Sequence, residues 1–152
     1  MLYIAEKMLR KHHLAEEAVL ESLEVLAKNL NLIDEVKSYR TINLIMIITK
    51  HFSRNIREKE RVSGNNDEYD DIEPEYKLNL DYKQIEDEEV SKLVKTISEL
   101  PVIYCEVLAL NIGYGLKPKD IERILSINNR VIKKRIQKGK KILYEALRGD
   151  GK

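Results

Sequence analysis

Residues 62–75, VSGNNDEYDDIEPE, interrupt a chain otherwise rich in helix-forming residues, and they limit how the 152 residues can fold. The stretch is polar, holds Gly64 and Pro74, and has no apolar period. It therefore buries too little to offset the entropy of ordering, and its like charges favour an extended tether. The segment argues against one large core running through it. Two small domains are expected, residues 1–61 and residues 84–148, joined by an acidic flexible linker over residues 62–83, and each core will be modest.

Both halves read as helical, so the fold class is all-α. The chain has only 6 glycines and 3 prolines, is dominated by Leu, Ile, Lys and Glu, and shows no useful strand-like alternation. In the first half the periodicity predicts helices from Leu2 to Arg10, from Leu14 to Asn29 and from Tyr39 to Arg61, packed as a small bundle. Ala18, Val19, Leu23, Leu26 and Leu30 form one apolar stripe, and Leu44, Ile45, Ile48, Phe52 and Ile56 another. In the second half, Ile85 to Ser98 is amphipathic through Val90, Leu93, Val94 and Ile97. Leu100-Pro101 then starts a helix that runs to about Asn111, and Gly113 and Gly115 punctuate the chain after it.

The stretch that points to a function is LKPKDIERILSINNRVIKKRIQKGKKIL, residues 116–143. Pro118 suits the first helical position, Ile121, Ile124 and Leu125 give one apolar face, and the helix should stop near Ser126. Asn128 is the expected N-cap of a second helix, with Val131, Ile132, Ile136, Ile142 and Leu143 as its buried stripe. Arg130, Lys133, Lys134, Lys138 and Lys141 are left facing outward. Two short amphipathic helices meeting at a polar turn, the second loaded with cations, are the pattern of a DNA-reading helix-turn-helix. In that motif the N-terminal residues of the second helix meet base edges while flanking cations hold phosphates. Asn129, Arg130 and Lys133 are the base-facing candidates; Lys134, Lys138 and Lys141 are the phosphate-holding ones.

The net charge of +1 conceals an asymmetry along the chain. Residues 111–152 carry 12 Lys and Arg against 4 Asp and Glu, whereas residues 62–90 carry 2 against 11. A basic C-terminal unit is the electrostatic footprint of phosphate contact. The acidic linker is chiefly a solubilising tether, although its charge also suits transient contact with the basic unit.

Catalysis and cofactors have little support in the residues. The single cysteine, Cys105, lies in an apolar helical run, which excludes a disulfide framework and fits a reducing cytoplasm. His12 and His13 lie near Glu16 and Glu17, but adjacent histidines point to different helix faces, so no metal site is expected. No phosphate-binding glycine loop is present, and most tyrosines are expected to be half-buried packing residues. The longest apolar run, Ile42 to Ile48, is far short of the roughly 20 residues that span a bilayer, so membrane insertion is not expected.

The order of parts resembles the extracytoplasmic-function class of bacterial RNA polymerase sigma factors, which contain only regions two and four. Residues 97–143, ISELPVIYCEVLALNIGYGLKPKDIERILSINNRVIKKRIQKGKKIL, are similar to region four, with its Leu-Pro opening and final basic helix. Residues 14–30, LAEEAVLESLEVLAKNL, are similar to the region-two helix that docks on the polymerase clamp, and INLIMIITKHFSRNIREKER resembles the promoter-reading helix that follows.

The resemblance implies a non-enzymatic, cytoplasmic sigma factor whose partners are core RNA polymerase and promoter DNA, with an anti-sigma protein as a further partner. Glu16, Glu17, Leu20 and Glu21 would face the polymerase. Lys50, Arg54, Arg57, Lys59 and Arg61 would contact the downstream (minus-10) element, with the loop from Leu32 to Arg40 capturing an unstacked base. The C-terminal helix-turn-helix would read the upstream (minus-35) element. Several positions depart from the family. Leu20 stands where a Gln is usual, His51 and Asn55 replace an Asn and an Asp, and Glu58 and Glu60 dilute the basic tail. Lys117 replaces a Ser cap, Glu122 a small residue, Ser126 a Gly and Gly139 an Ala. Glu122 is expected to point outward or to pair with Arg123 or Lys119, and Gly139 to fray the end of the recognition helix. The N-terminus is short against the family, which would leave an apolar edge on the first helix for self-association or an anti-sigma partner. Two alternatives remain at this stage: a sigma-like DNA-binding regulator without initiation activity, and a helical interaction adaptor that does not bind DNA.

Overall fold

The computed structural model describes residues 1–33, 38–62, 78 and 80–150. Among the described residues every regular element is helical, and no helix is long and apolar enough to cross a membrane. The chain divides into two compact units, Met1–Glu75 and Tyr76–Lys152.

The N-terminal unit packs α1 (Leu2–Met8), α2 (His12–Lys28) and α3 (Tyr39–Val62) against one another, with a 3-10 turn at Leu30–Leu32. Helix α1 stops at Met8, short of Arg10, because Leu9 turns extended at φ −122° and ψ 118°. Its N–H still reaches Ala5 O at 2.7 Å, and its side chain enters the core with Ala5, Leu14, Ala15, Ala18 and Ile56. Helix α2 ends where the Asn29 side chain donates to Val25 O at 2.8 Å.

The buried face of α2 is Leu14, Ala15, Ala18, Ser22 and Leu26, so the expected stripe is corrected: Leu23 and Leu30 are exposed. Small residues at 15, 18 and 22 allow close approach to neighbouring backbone, and that seam rotates the larger leucines outward. Ser22 is accommodated because its hydroxyl donates to Ala18 O at 2.7 Å. Helix α3 buries Leu44, Ile47, Ile48, Phe52 and Ile56, with Ile45 only half-buried.

The C-terminal unit contains α4 (Glu88–Ser98), α5 (Val102–Leu108), a π-type turn at Ala109–Gly113, α6 (Pro118–Leu125) and α7 (Asn129–Asp150). Helix α4 starts three residues after Ile85, because Asp87 is the N-cap and its carboxylate accepts from the N–H groups of Glu89 and Val90 at 2.9 and 3.0 Å. Val90, in the first turn, is exposed.

Both ends of the expected linker, residues 62–83, lie in packed structure. Val62 belongs to α3, and Leu78 and Leu80 are buried, with Leu80 N–H donating to Ser98 Oγ at 2.8 Å. Ser91 Oγ donates to Tyr82 O at 3.1 Å, so this strand of chain is fastened along α4. The acidic residues 63–77 lie outside the described residues.

After α5 the expected helix continues, but as the wider π turn, whose C-terminal side is closed by Asn111 Nδ2 donating to Leu116 O at 2.8 Å. Gly115 takes φ +66°, a left-handed conformation that glycine adopts without steric cost, and redirects the chain into α6.

Candidate nucleic-acid interface

Helix α6 opens at Lys117. The lysine side chain supplies no cap; Asp120 does so, its carboxylate accepting from Lys117 N–H at 3.1 Å, with Pro118 in the first helical position. Ile121, Ile124 and Leu125 are buried as expected. The helix ends at Ser126, which adopts a left-handed φ of 56° and ψ of 42° and is the only described non-glycine residue with positive φ. Its N–H closes the last turn on Glu122 O at 2.8 Å.

Asn128 caps α7 as expected, accepting from Arg130 N–H at 2.8 Å. The expectation for Glu122 is corrected. Its carboxylate pairs with neither Arg123 nor Lys119 in this geometry; Oε2 accepts from the backbone N–H of Asn129 at 2.6 Å. A backbone donor at a helix start suits a carboxylate, since the aligned peptide dipoles favour negative charge there.

Along α7, Ile132, Ile136 and Leu143 are buried, Ile142 is half-buried, and Val131 lies outward at 37 % exposure among the cations. The place left in the buried stripe is taken by Gly139, where a Cβ would lie 3.0 Å from Leu108 Cδ1 and 3.3 Å from Tyr104 Cβ on α5. Gly139 therefore forms a notch, and the helix continues past it to Asp150. Arg135 turns toward α5, its Nη1 4.0 Å from Oε1 of Glu106, a carboxylate with no exposed surface.

Opposite this packed side, Arg130, Lys133, Lys134, Lys138 and Lys141 are all exposed, and Asn129 is half-buried beside its capped backbone. Lys138 Nζ sits 5.8 Å from the Tyr104 ring centroid, a cation–π distance. The same helical period adds two exposed cations that the sequence reading missed, Lys140 and Arg148, the latter over the ring of exposed Tyr144 at 5.6 Å. Their spacing from Lys133 and Lys141 was the available signal. At about 1.5 Å per residue the 22 residues of α7 extend about 33 Å, and the only acidic side chain described on its outward face is Glu145.

The cations expected to serve the downstream element are differently placed. Arg57 is only 6 % exposed, so it is part of the packing of the N-terminal unit and not an outward contact. Arg54 Nη2 lies 3.2 Å from His51 Nδ1, and Asn55 Nδ2 lies 3.3 Å from the other ring nitrogen. His51 itself is buried edge-on to Phe52. Lys50 is half-buried, Lys59 and Arg61 are exposed, and Arg61 pairs with Glu58 at 3.7 Å. Residues 34–37 of the expected base-capturing loop lie outside the described residues.

On α2, Glu16, Glu17 and Leu20 are exposed and Glu21 is half-buried. Leu20, at 68 % exposure, and Leu23 are exposed on α2 at helical spacing, flanked by Glu16, Glu17 and Glu24, and Leu30 is exposed in the 3-10 turn beyond it. His12 bridges two helices: Nδ1 lies 2.8 Å from Glu6 and Nε2 2.6 Å from Glu16. The hydrogen bond to Glu6 and the charge of Glu16 raise the pKa of His12 above its ordinary value. Among the described residues no group of three or more His, Cys, Asp or Glu is placed to hold a metal.

Comparison with protein-family models, with curated proteins and with solved structures finds no match to this chain.

Proposed function

We propose that this chain is a sigma-like promoter-recognition protein, with a C-terminal helix-turn-helix that reads the upstream element and an N-terminal bundle that docks on core RNA polymerase. The observation that carries the reading is the outward face of α7. Arg130, Lys133, Lys134, Lys138, Lys140, Lys141 and Arg148 lie exposed along one helix, and of these only Lys138 reaches back to α5, over the Tyr104 ring. Such a row suits phosphate contact along a groove, with the capped N-terminal turn at the bases. The exposed Leu20 and Leu23 of α2, edged with glutamates, support docking on a basic surface with apolar ground. The protein has no chemistry of its own in this reading and acts in the cytoplasm, where the polymerase is.

A second reading is favoured by one observation: Arg57 is buried and Arg54 is engaged with His51, which reduces the cations available on α3. A regulator that binds DNA through α7 without melting a promoter fits that arrangement. Transcription with purified core polymerase, this protein and a promoter library separates the two. Specific starts that depend on the protein support the first reading. DNA binding without starts supports the second, and an interaction with protein alone refutes both.

A further inference from the structure

The turn between α6 and α7 is held from both ends by one residue. The carbonyl of Glu122 accepts from Ser126 N–H at 2.8 Å, and its carboxylate accepts from Asn129 N–H at 2.6 Å. Between these bonds lie the left-handed Ser126, Ile127 and the capping Asn128. A helix start presents several N–H groups without intrahelical partners, and these form a ready anion site. Here two are occupied from within the chain, Asn129 N–H by Glu122 and Arg130 N–H by Asn128. The carboxylate also places a negative charge at the end of α7 that would otherwise attract a phosphate.

We infer that Glu122 is a positioning and specificity-determining residue. It fixes the direction in which α7 leaves the turn and withholds the N-terminus of α7 from the DNA backbone, so that Asn129, Arg130 and Lys133 meet base edges in one orientation. The inference rests on the DNA-reading role proposed above. Without the carboxylate, the free N–H groups and the helix dipole would accept a phosphate from any duplex. Binding would then become stronger and less selective. Glu122 touches no DNA in this account and acts through the backbone of Asn129.

The test uses the full chain as wild type, Glu122→Gln and Glu122→Ala, with two duplexes: one selected by the wild type from a random pool, and a scrambled one. Hydrogen exchange of the Asn129 amide reports the bond directly. Glu122→Gln keeps an acceptor without the charge. It is expected to retain amide protection while binding the scrambled duplex more tightly. Glu122→Ala is expected to lose Asn129 protection and to lose about tenfold or more of its preference for the selected duplex, the scale of one misplaced base contact. Unchanged preference in Glu122→Ala overturns the role of Glu122. If Glu122→Ala does not fold, scrambled-duplex affinity in Glu122→Gln equal to wild type overturns it instead. Failure of the wild type to bind any duplex, with Asn129 still protected, overturns the DNA-reading role and the inference built on it, and leaves Glu122 a structural cap.

Discussion

Gly139 of α7 stands directly over Leu108 of α5, so close that a β-carbon at residue 139 would lie 3.0 Å from Leu108 Cδ1. Replacing the glycine sets two effects against each other. Alanine gains about 1 kcal/mol of helix propensity but must push the tip of a leucine aside, and the balance is expected near zero. Gly139→Leu has no such compensation and is expected to cost roughly 1–3 kcal/mol by overpacking. Urea denaturation measures both, and a tolerated leucine would disprove the close approach.

Ser126 carries the left-handed turn between α6 and α7 at φ 56°. A side chain costs roughly 1–2 kcal/mol there, part of which glycine returns as unfolded-state entropy. Ser126→Gly should therefore stabilise the C-terminal unit by about 0.5–1 kcal/mol and Ser126→Val should destabilise it. A less stable glycine variant would contradict the turn geometry.

Both ring nitrogens of His12 face carboxylates, so only the doubly protonated imidazolium can donate to both. Its pKa is raised, chiefly by the hydrogen bond to Glu6 and then by the charge of Glu16. A raised folded-state pKa gives a stabilising contribution that is complete below the unfolded value of about 6.5 and is lost as pH rises through the folded one. An NMR titration should place the His12 midpoint above about 6.5, and Glu6→Gln with Glu16→Gln should lower it. A midpoint that ignores both substitutions would show that the bridge does not form.

Arg135 brings a guanidinium to within 4.0 Å of the buried Glu106 carboxylate. Arg135→Met removes that guanidinium and is expected to cost about 1–3 kcal/mol. Adding Glu106→Gln should recover part of the loss. Strict additivity in the double-mutant cycle would mean that the pair does not interact.

Arg130 and Lys133 are exposed at the start of α7, so Arg130→Ala with Lys133→Ala should leave the melting temperature nearly unchanged. Under the proposed role, each lost base contact weakens binding to a selected duplex by about 1–3 kcal/mol. Undiminished affinity for that duplex would refute the recognition-helix assignment.

The helical class and the α6–turn–α7 motif were legible because they depend on local signals: Pro118 at a helix start, an Asn128 cap, and apolar residues at helical spacing. The buried side of α2 was legible in part: Ala18 and Leu26 are buried and Val19 packs on the core, but close packing selected a seam through Ala15 and Ser22 in place of Leu23 and Leu30. The start of α4 shifted for a similar reason, since the Asp87 cap outweighed the apolar Ile85. On the candidate interface, the outward cations followed from period alone. Glu122 and Gly139 were misread because their roles lie in contacts with partners seven residues away and on another helix, which no local pattern contains. Arg57 was misread because a basic tail conceals which of its members turns inward.

Gly139 and Arg135 are one turn apart on α7, and they meet Leu108 and Glu106 on α5. A notch and a charge together act as a key with two teeth. Sliding α7 by one turn, about 5.4 Å, would drive a side chain into Leu108 and carry the guanidinium away from its carboxylate, so only one register fits both. The bearing of the basic face is thus set from beneath. Leu108 and Glu106, neither of them on α7, thus bear on the helix that carries the outward cations.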